Sequence, residues 1–437
     1  MLIRMAWRNL WRNGRRTMLT VAAISLGLAL LITMVSFVVG MQEMMVEQVA
    51  RSSIGHLQIV RPDYLKKKRV GLVFPEADEI TSALEGLEDV KAASPRLRFS
   101  GAIQSSNSPT MQVVDIMAVD PKREAKFSAL VDKVVAGGFV VPPEEATDAD
   151  APARYRSRKG ILLGSKLASL LKVELGSKVR VDTAGLRGGT VSGAFYVTGI
   201  AKTGADSFDR SLAIVGIEAM RTLANTKDTA HEIAVMVKDH SDIAGAATRI
   251  ENGLGDVLAK LETEHPDAMV TVAPWWEVSP EIKDMLDMSR SWSSILYLFM
   301  LVILSAGVLT TVYMMIYERR REFGIQLAVG ERPMRLFASV MLESFFMGAL
   351  SVAVGLVFGG IGAGYFHYHG LDLRFLLGGF DVGGLFMENV YRGSIAPSVF
   401  IEPSVVVFLG TILFALWPSM RVARMKALDG IQQGASQ

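Results

Sequence analysis

The sequence predicts an α-helical membrane protein with four transmembrane helices plus a large mixed α/β domain outside the bilayer, and three observations carry that prediction. Half of the 437 residues are apolar, and the mean hydropathy is +0.32. Long stretches lack Lys, Arg, Asp and Glu altogether: Met18 to Gln42, Ser291 to Tyr317, and, but for Glu343, Leu336 to Leu371. A helix needs about 20 such residues to cross a hydrocarbon core of about 30 Å. Charge is also unevenly divided. Residues 43–290 hold 31 Lys/Arg against 35 Asp/Glu, and the rest of the chain holds 15 against 9. A basic excess beside apolar runs reflects topology and membrane lipids, and gives no reason to expect nucleic acid as a partner.

Residues 1–17 read as an interfacial elbow helix: Arg4, Arg8, Arg12 and Arg15 share one helical stripe, and Ile3, Trp7, Leu10 and Trp11 another. Residues 18–42 form the first span, since 25 uncharged residues are too many for a signal peptide and no small-x-small cleavage site follows. Residues 43–279 read as the α/β domain. Strand-like runs occur at 56–60, 111–117, 178–182, 194–200 and 233–237, and helical periodicity at 78–87, 165–171 and 241–261. The stretch 137–159, with Pro142, Pro143 and Pro152, reads as a loop near which the domain divides into two subdomains.

Residues 280–317 read as one helix, stalk and second span together. Ser279-Pro280-Glu281 supplies an N-cap, a proline at the first helical position and an acid in the first turn. At 1.5 Å per residue it is roughly 57 Å long, so about half stands outside the hydrocarbon. Residues 318–335 form a short cytoplasmic segment and 336–366 the third span, where Gly355, Gly359 and Gly360, with Gly362 and Gly364, permit close helix packing, including against a second subunit. Residues 367–401 form an outer loop, 402–420 the fourth and shortest span, and 421–437 a tail. Arginines precede span one, Arg319, Arg320, Arg321, Arg332 and Arg335 lie between spans two and three, and Arg421, Arg424 and Lys426 follow span four. These segments therefore face the cytoplasm, with both termini inside.

Catalytic patterns are missing from this sequence. It has no cysteine, no G-x-x-x-x-G-K-[S/T], no H-E-x-x-H and no G-x-S-x-G. The pair His367 and His369 reads as interfacial, and Asp206, Asp209 and Arg210 as a solvated turn. No catalytic, metal or cofactor site is expected. The segment 318–335 is different. Phe323 and Leu327 stand at i, i+4 beside Ala328, bordered by Arg319 to Glu322, and an apolar ridge ringed by charge suits docking in another protein's groove.

The segment Glu318-Arg319-Arg320-Arg321-Glu322-Phe323-Gly324-Ile325-Gln326-Leu327-Ala328-Val329-Gly330 resembles the E-R-x-R-E-[IF]-G-x-x-x-A-x-G pattern of permeases in the FtsX/MacB/LolC-LolE superfamily of ABC transporters, where it forms the coupling helix. Trp417 to Asp429 resembles the family's P-A-x-x-A-A-x-x-x-x-P ending, with Ser419 and Asp429 in place of Ala and Pro. Gly55 to Ile59, Gly160 to Ala168, Gly176 to Val181 and Tyr196 to Asp209 look like the periplasmic core of lipoprotein-release permeases. The resemblance implies a bacterial inner-membrane permease that binds no cofactor, paired with a second copy or paralogue and driven by a separate cytoplasmic ATPase that uses ATP. The ATPase would dock on Glu318, Arg319, Arg320, Arg321, Glu322, Phe323, Gly324, Leu327, Ala328, Gly330 and Arg332. The expected task is lipoprotein extraction toward the outer membrane, handing the client to a periplasmic carrier, with a lateral gate lined by span one. Alternatives are efflux, control of a cell-wall hydrolase, and a membrane sensor.

Overall fold

The computed structural model describes residues 2–12, 14–140, 159–239, 242–372, 381–382, 385–386 and 390–424. Most of the loop expected at 137–159, much of the outer loop 367–401 and the tail from Lys426 to Asp429 lie outside the described residues. The chain forms two compact units, one of residues 1–44, 285–372 and 390–437, the other of 45–284 and 373–389.

The first unit is helical, with α1 (Leu2–Arg12), α2 (Gly14–Val49), α3 (Pro280–Glu318), α4 (Arg320–Ala328), α5 (Pro333–His369) and α6 (Pro397–Ala423), of which α2 and α3 run on into the other unit. Helices α2, α3, α5 and α6 are each long and apolar enough to cross a membrane. Their shared core takes Leu28 and Ile32 from α2, Val308 and Val312 from α3, Val340 and Ala363 from α5, and Val407 and Ala415 from α6. Two glycines let α5 approach α2. A Cβ on Gly355 would lie 2.8 Å from Leu28, and one on Gly359 2.9 Å from Ile32. Gly360 packs against no helix of this chain, since it points one residue round α5, where a Cβ would meet nothing within 4 Å. On α1, Arg4, Arg8 and Arg12 are exposed, and Trp7 packs edge-on against Phe346 of α5 at 5.4 Å.

The second unit is built on one sheet: β1 (Leu57–Val60), β2 (Val90–Ser105), β3 (Ser108–Val119), β4 (Val134–Gly137), β5 (Gly160–Gly164), β6 (Lys178–Ala184), β7 (Thr190–Ala201), β8 (Leu212–Gly216), β9 (Glu232–Val237) and β10 (Thr271–Pro274). Six strands close on themselves in the order β2-β3-β8-β5-β7-β6 and back to β2, with β3–β8 and β5–β7 parallel. Alternate residues fill this barrel: Leu97, Phe99 and Ile103, then Val114, Ile116 and Ala118, with Val179 and Val181, Phe195 and Val197, and Ala213 and Val215. That period of two is what a pleated strand imposes on a closed, side-chain-filled interior.

The sheet leaves the barrel through β2, whose first half pairs with β9, followed by β1 and β10. The expected division into two subdomains near 137–159 is therefore not found, since β4 before it and β5 after it both pair with β7. The helix expected over 241–261 is two, Ile243–Gly253 and Gly255–Glu264, which part at Leu254 between two glycines. Nor is Asp206 to Arg210 a solvated turn. It is helical, and Asp209 is buried, accepting hydrogen bonds from the Thr203 amide at 3.0 Å, the Thr203 hydroxyl at 2.7 Å and the Ser165 hydroxyl at 3.1 Å. Gly164 lets that backbone approach, as a Cβ there would fall 2.2 Å from the Asp209 carbonyl oxygen.

Two polar clusters are enclosed in this unit. Arg96 on β2 donates from Nε to Glu124 at 3.0 Å, both side chains fully buried, with Phe127 beneath the guanidinium. His231 takes the Arg98 amide on Nδ1 at 3.0 Å and faces the Val70 carbonyl through Nε2 at 2.7 Å. Burial pulls its pKa down to about 4, so the ring is neutral at neutral pH.

Candidate functional site

The segment between α3 and α5 is the first candidate site. Helix α3 stops at Glu318, and α4 starts at Arg320. Arg319, the residue between them, has φ −100° and ψ 10°, so the chain turns there while the Phe323 amide still bonds to the Arg319 carbonyl at 3.0 Å. The Arg319 guanidinium donates from Nη1 to both Glu343 oxygens, at 2.7 and 2.9 Å, and from Nε to Glu322 at 3.1 Å. It also lies over the Phe323 ring at 5.1 Å. Glu322 in turn receives Arg12 of α1 at 2.7 and 2.9 Å. Partial burial would raise the Glu322 pKa, and the Arg12 and Arg319 guanidiniums reverse that, holding it below the usual carboxylate value.

These contacts redraw the expected docking ridge. Phe323 and Gly324 are buried, Phe323 in the core with Val312 and Leu336, and Leu327 packs partly against the same core. They face the helical unit itself, on the side where Arg319 bonds Glu343. Arg319 is also buried, and Arg320 and Glu322 are half-buried. Glu318, Arg321, Ala328, Gly330 and Arg332 remain on the surface, with Gly330 at φ +97° closing the turn. The accessible apolar residues are ones the sequence pattern did not single out: Ile325 at 49% exposure, Val329 at 84% and Met334 at 67%, flanked by Arg321, Arg332 and Arg335. Apolar residues occur all round this nine-residue helix, so periodicity alone could not tell its outer face from its inner one.

A second feature is a cavity of about 400 Å³ between α2, α3 and α6. Leu31, Val35, Leu296 and Tyr297 form apolar wall, and Gln42, Arg290 and Glu402 add polar groups. The cavity is therefore apolar along its walls with polar and charged groups among them. Only the α2 lining was expected, as a gate on span one. His367 and His369 lie near the end of α5, where the sequence places an interfacial pair. His367 meets the Gly393 carbonyl through Nδ1 at 2.8 Å, and His369 stacks on Tyr365 with centroids 4.6 Å apart.

Comparison with known proteins agrees with both units. Residues 17–252 match the family described as the MacB-like periplasmic core domain, and residues 294–427 match the FtsX-like permease C-terminal family. The lipoprotein-releasing system transmembrane protein LolC of Neisseria meningitidis is 23% identical over 80% of this chain and 78% of its own length. The macrolide export ATP-binding/permease protein MacB of Nitrobacter winogradskyi is 23% identical over 99% of this chain and 60% of its own length. The pyoverdine export ATP-binding/permease protein PvdT of Pseudomonas syringae is 25% identical over 83% of this chain and 51% of its own length. With more than half of the chain covered by the first of those families and the apolar C-terminal region by the second, the protein belongs to the FtsX/MacB/LolC superfamily of ABC transporter permeases.

Proposed function

We propose that this chain is the non-catalytic permease subunit of a mechanotransmitting ABC transporter that extracts lipoproteins from the inner membrane. The observation that carries the coupling role is the exposed trio Ile325, Val329 and Met334 among Arg321, Arg332 and Arg335, on a short segment joining two membrane-length helices. An isolated permease has no use for such a face in water, and a soluble ATPase with an apolar groove and acidic rim complements it. Both termini and residues 318–335 then lie in the cytoplasm, and the barrel unit in the periplasm. A second copy or paralogue completes the complex. The cavity supports a lipid-modified client, which a periplasmic carrier would receive. Export relatives such as MacB and PvdT keep efflux as the second reading.

The test is affinity co-purification of the full chain from mild detergent, comparing wild type with Val329→Asp/Met334→Asp. Both residues are exposed, so the variant should fold normally. Recovery of an ATP-hydrolysing subunit with wild type and its loss from the variant is the expected result, and retention by the variant removes the coupling face. Acylated proteins in the wild-type eluate favour extraction. An adaptor and outer-membrane channel without them favour efflux.

A further inference from the structure

We infer that Arg319, held between Glu343 of α5 and Glu322 at the start of α4, is a positioning residue that locks the α3–α4 joint, so that force applied to α4 reaches α5 and α1 as well as α3. The inference rests on the coupling reading above.

Depth is the first argument. Glu343 lies ten residues beyond Pro333 on α5, on the order of 15 Å along the helix, and is 1% exposed. A carboxylate placed so far along a membrane-length helix persists only with a partner. Its partner is the residue at which the chain turns. A joint free to turn would let α4 swing without moving α3, and here the turning residue is tied by its own side chain. The second argument is the use made of the guanidinium. Nη1 serves Glu343, Nε serves Glu322, and the flat face rests on Phe323, so three contacts on different sides fix its plane. Third, the charges alternate in a line, Glu343–Arg319–Glu322–Arg12, and its last member stands on α1. A displacement of α4 therefore pulls on a helix that is far from it in sequence.

A bland role as charge compensation for Glu343 makes a different prediction, and Arg319→Lys separates the two. Lysine neutralises Glu343 as a point charge but cannot also hold Glu322 with a fixed plane. The full chain in lipid nanodiscs would be followed by amide hydrogen exchange as wild type, Glu343→Gln and Arg319→Lys. The expected result is at least tenfold faster exchange over residues 320–328 in both variants, with the barrel strands unchanged as evidence of folding. Wild-type exchange in Arg319→Lys overturns the lock. A second arm uses the complex with its co-purified ATPase, with and without vanadate-trapped nucleotide. Wild type should show nucleotide-dependent exchange in residues 2–12, and Arg319→Lys should keep the ATPase but confine the change to 318–335. A nucleotide response in 2–12 that survives Arg319→Lys overturns the transmission route. Should wild type recover no ATPase, the coupling reading fails, and the first arm still decides the lock.

Discussion

Each unit of this protein contains a buried arginine–glutamate pair, and the two are built to different ends. Arg96 and Glu124 are both fully enclosed, with Glu232 3.9 Å from the guanidinium and Phe127 against it. The side chains of Arg319 and Glu343 are 10% and 2% exposed, and the network continues outward through those of Glu322 and Arg12, which are 43% and 51% exposed. The first pair lies wholly inside the core, and its extension through Glu232 reaches Arg98, two residues from Arg96 on the same strand, whose side chain is 31% exposed. The second connects the interior of a membrane-length helix to the surface. An enclosed pair rarely adds net stability over apolar packing, yet losing one member strands a charge. A pair with an open end can respond to what binds outside.

Breaking the enclosed pair should have the largest effect on stability. Glu124→Ala removes the carboxylate against which the buried Arg96 guanidinium is held, and is expected to cost about 3 kcal/mol in denaturant unfolding of the purified chain. An unchanged midpoint would remove the distinction between the pairs. The second effect is on pH. Since the folded pKa of His231 is lowered from 6.5 to about 4, the unfolded chain binds the extra proton between those values. Its contribution is therefore complete above pH 6.5, declines as pH falls toward 4, and amounts to at most roughly 3 kcal/mol. His231→Gln should flatten the stability profile across that window, and an equally steep profile in the variant would assign the slope elsewhere.

Smaller effects sharpen the helical side of the comparison. Gly359→Ala forces a methyl against Ile32 and should cost about 1–3 kcal/mol, whereas Gly360→Ala meets open space and should be neutral or slightly stabilising by thermal melting in detergent. Equal effects would mean that α5 does not pack on α2 through the Gly355/Gly359 face. Least of all, Arg12→Gln removes the exposed end of the ionic line and should change the melting temperature by no more than an exposed pair is worth, less than about 1 kcal/mol. A large loss there would show that the line's outer end holds the fold.

What could be read from the sequence followed the patterns that carry period or length. The apolar runs gave the long helices, and the run Lys178 to Asp182 lies in a strand whose odd members fill the barrel. Strand β2 was not legible, although it joins barrel and extension. Pro95, Arg96, Arg98 and Gly101 argue against a strand, and residues 92–97 are buried on both faces, which erases alternation. The segment 318–330 stands out by motif, but its outward face carries Ile325 and Val329, with Phe323 turned inward. The ion pair beside the buried Phe323 joins Arg319 to Glu343, 24 residues downstream, and no local pattern links them. Gly355 and Gly360 look alike as letters, and only the 100° turn per residue separates the one facing Leu28 from the one facing nothing.

Closure of the barrel also sets an order of assembly. Strands β3 and β5 do not pair with each other. The place between them is taken by β8, which pairs parallel with β3 and antiparallel with β5 and comes nearly 50 residues after β5 in the chain. Until Gly216 has been synthesised, the edges of β3 and β5 that β8 will cover stay open on strands rich in Val, Ile and Leu, the kind of surface that recruits strands from other chains. The emerging chain is then most vulnerable to aggregation between the completion of Gly164 and the arrival of Gly216, and a ribosome paused in that interval exposes what the finished ring conceals.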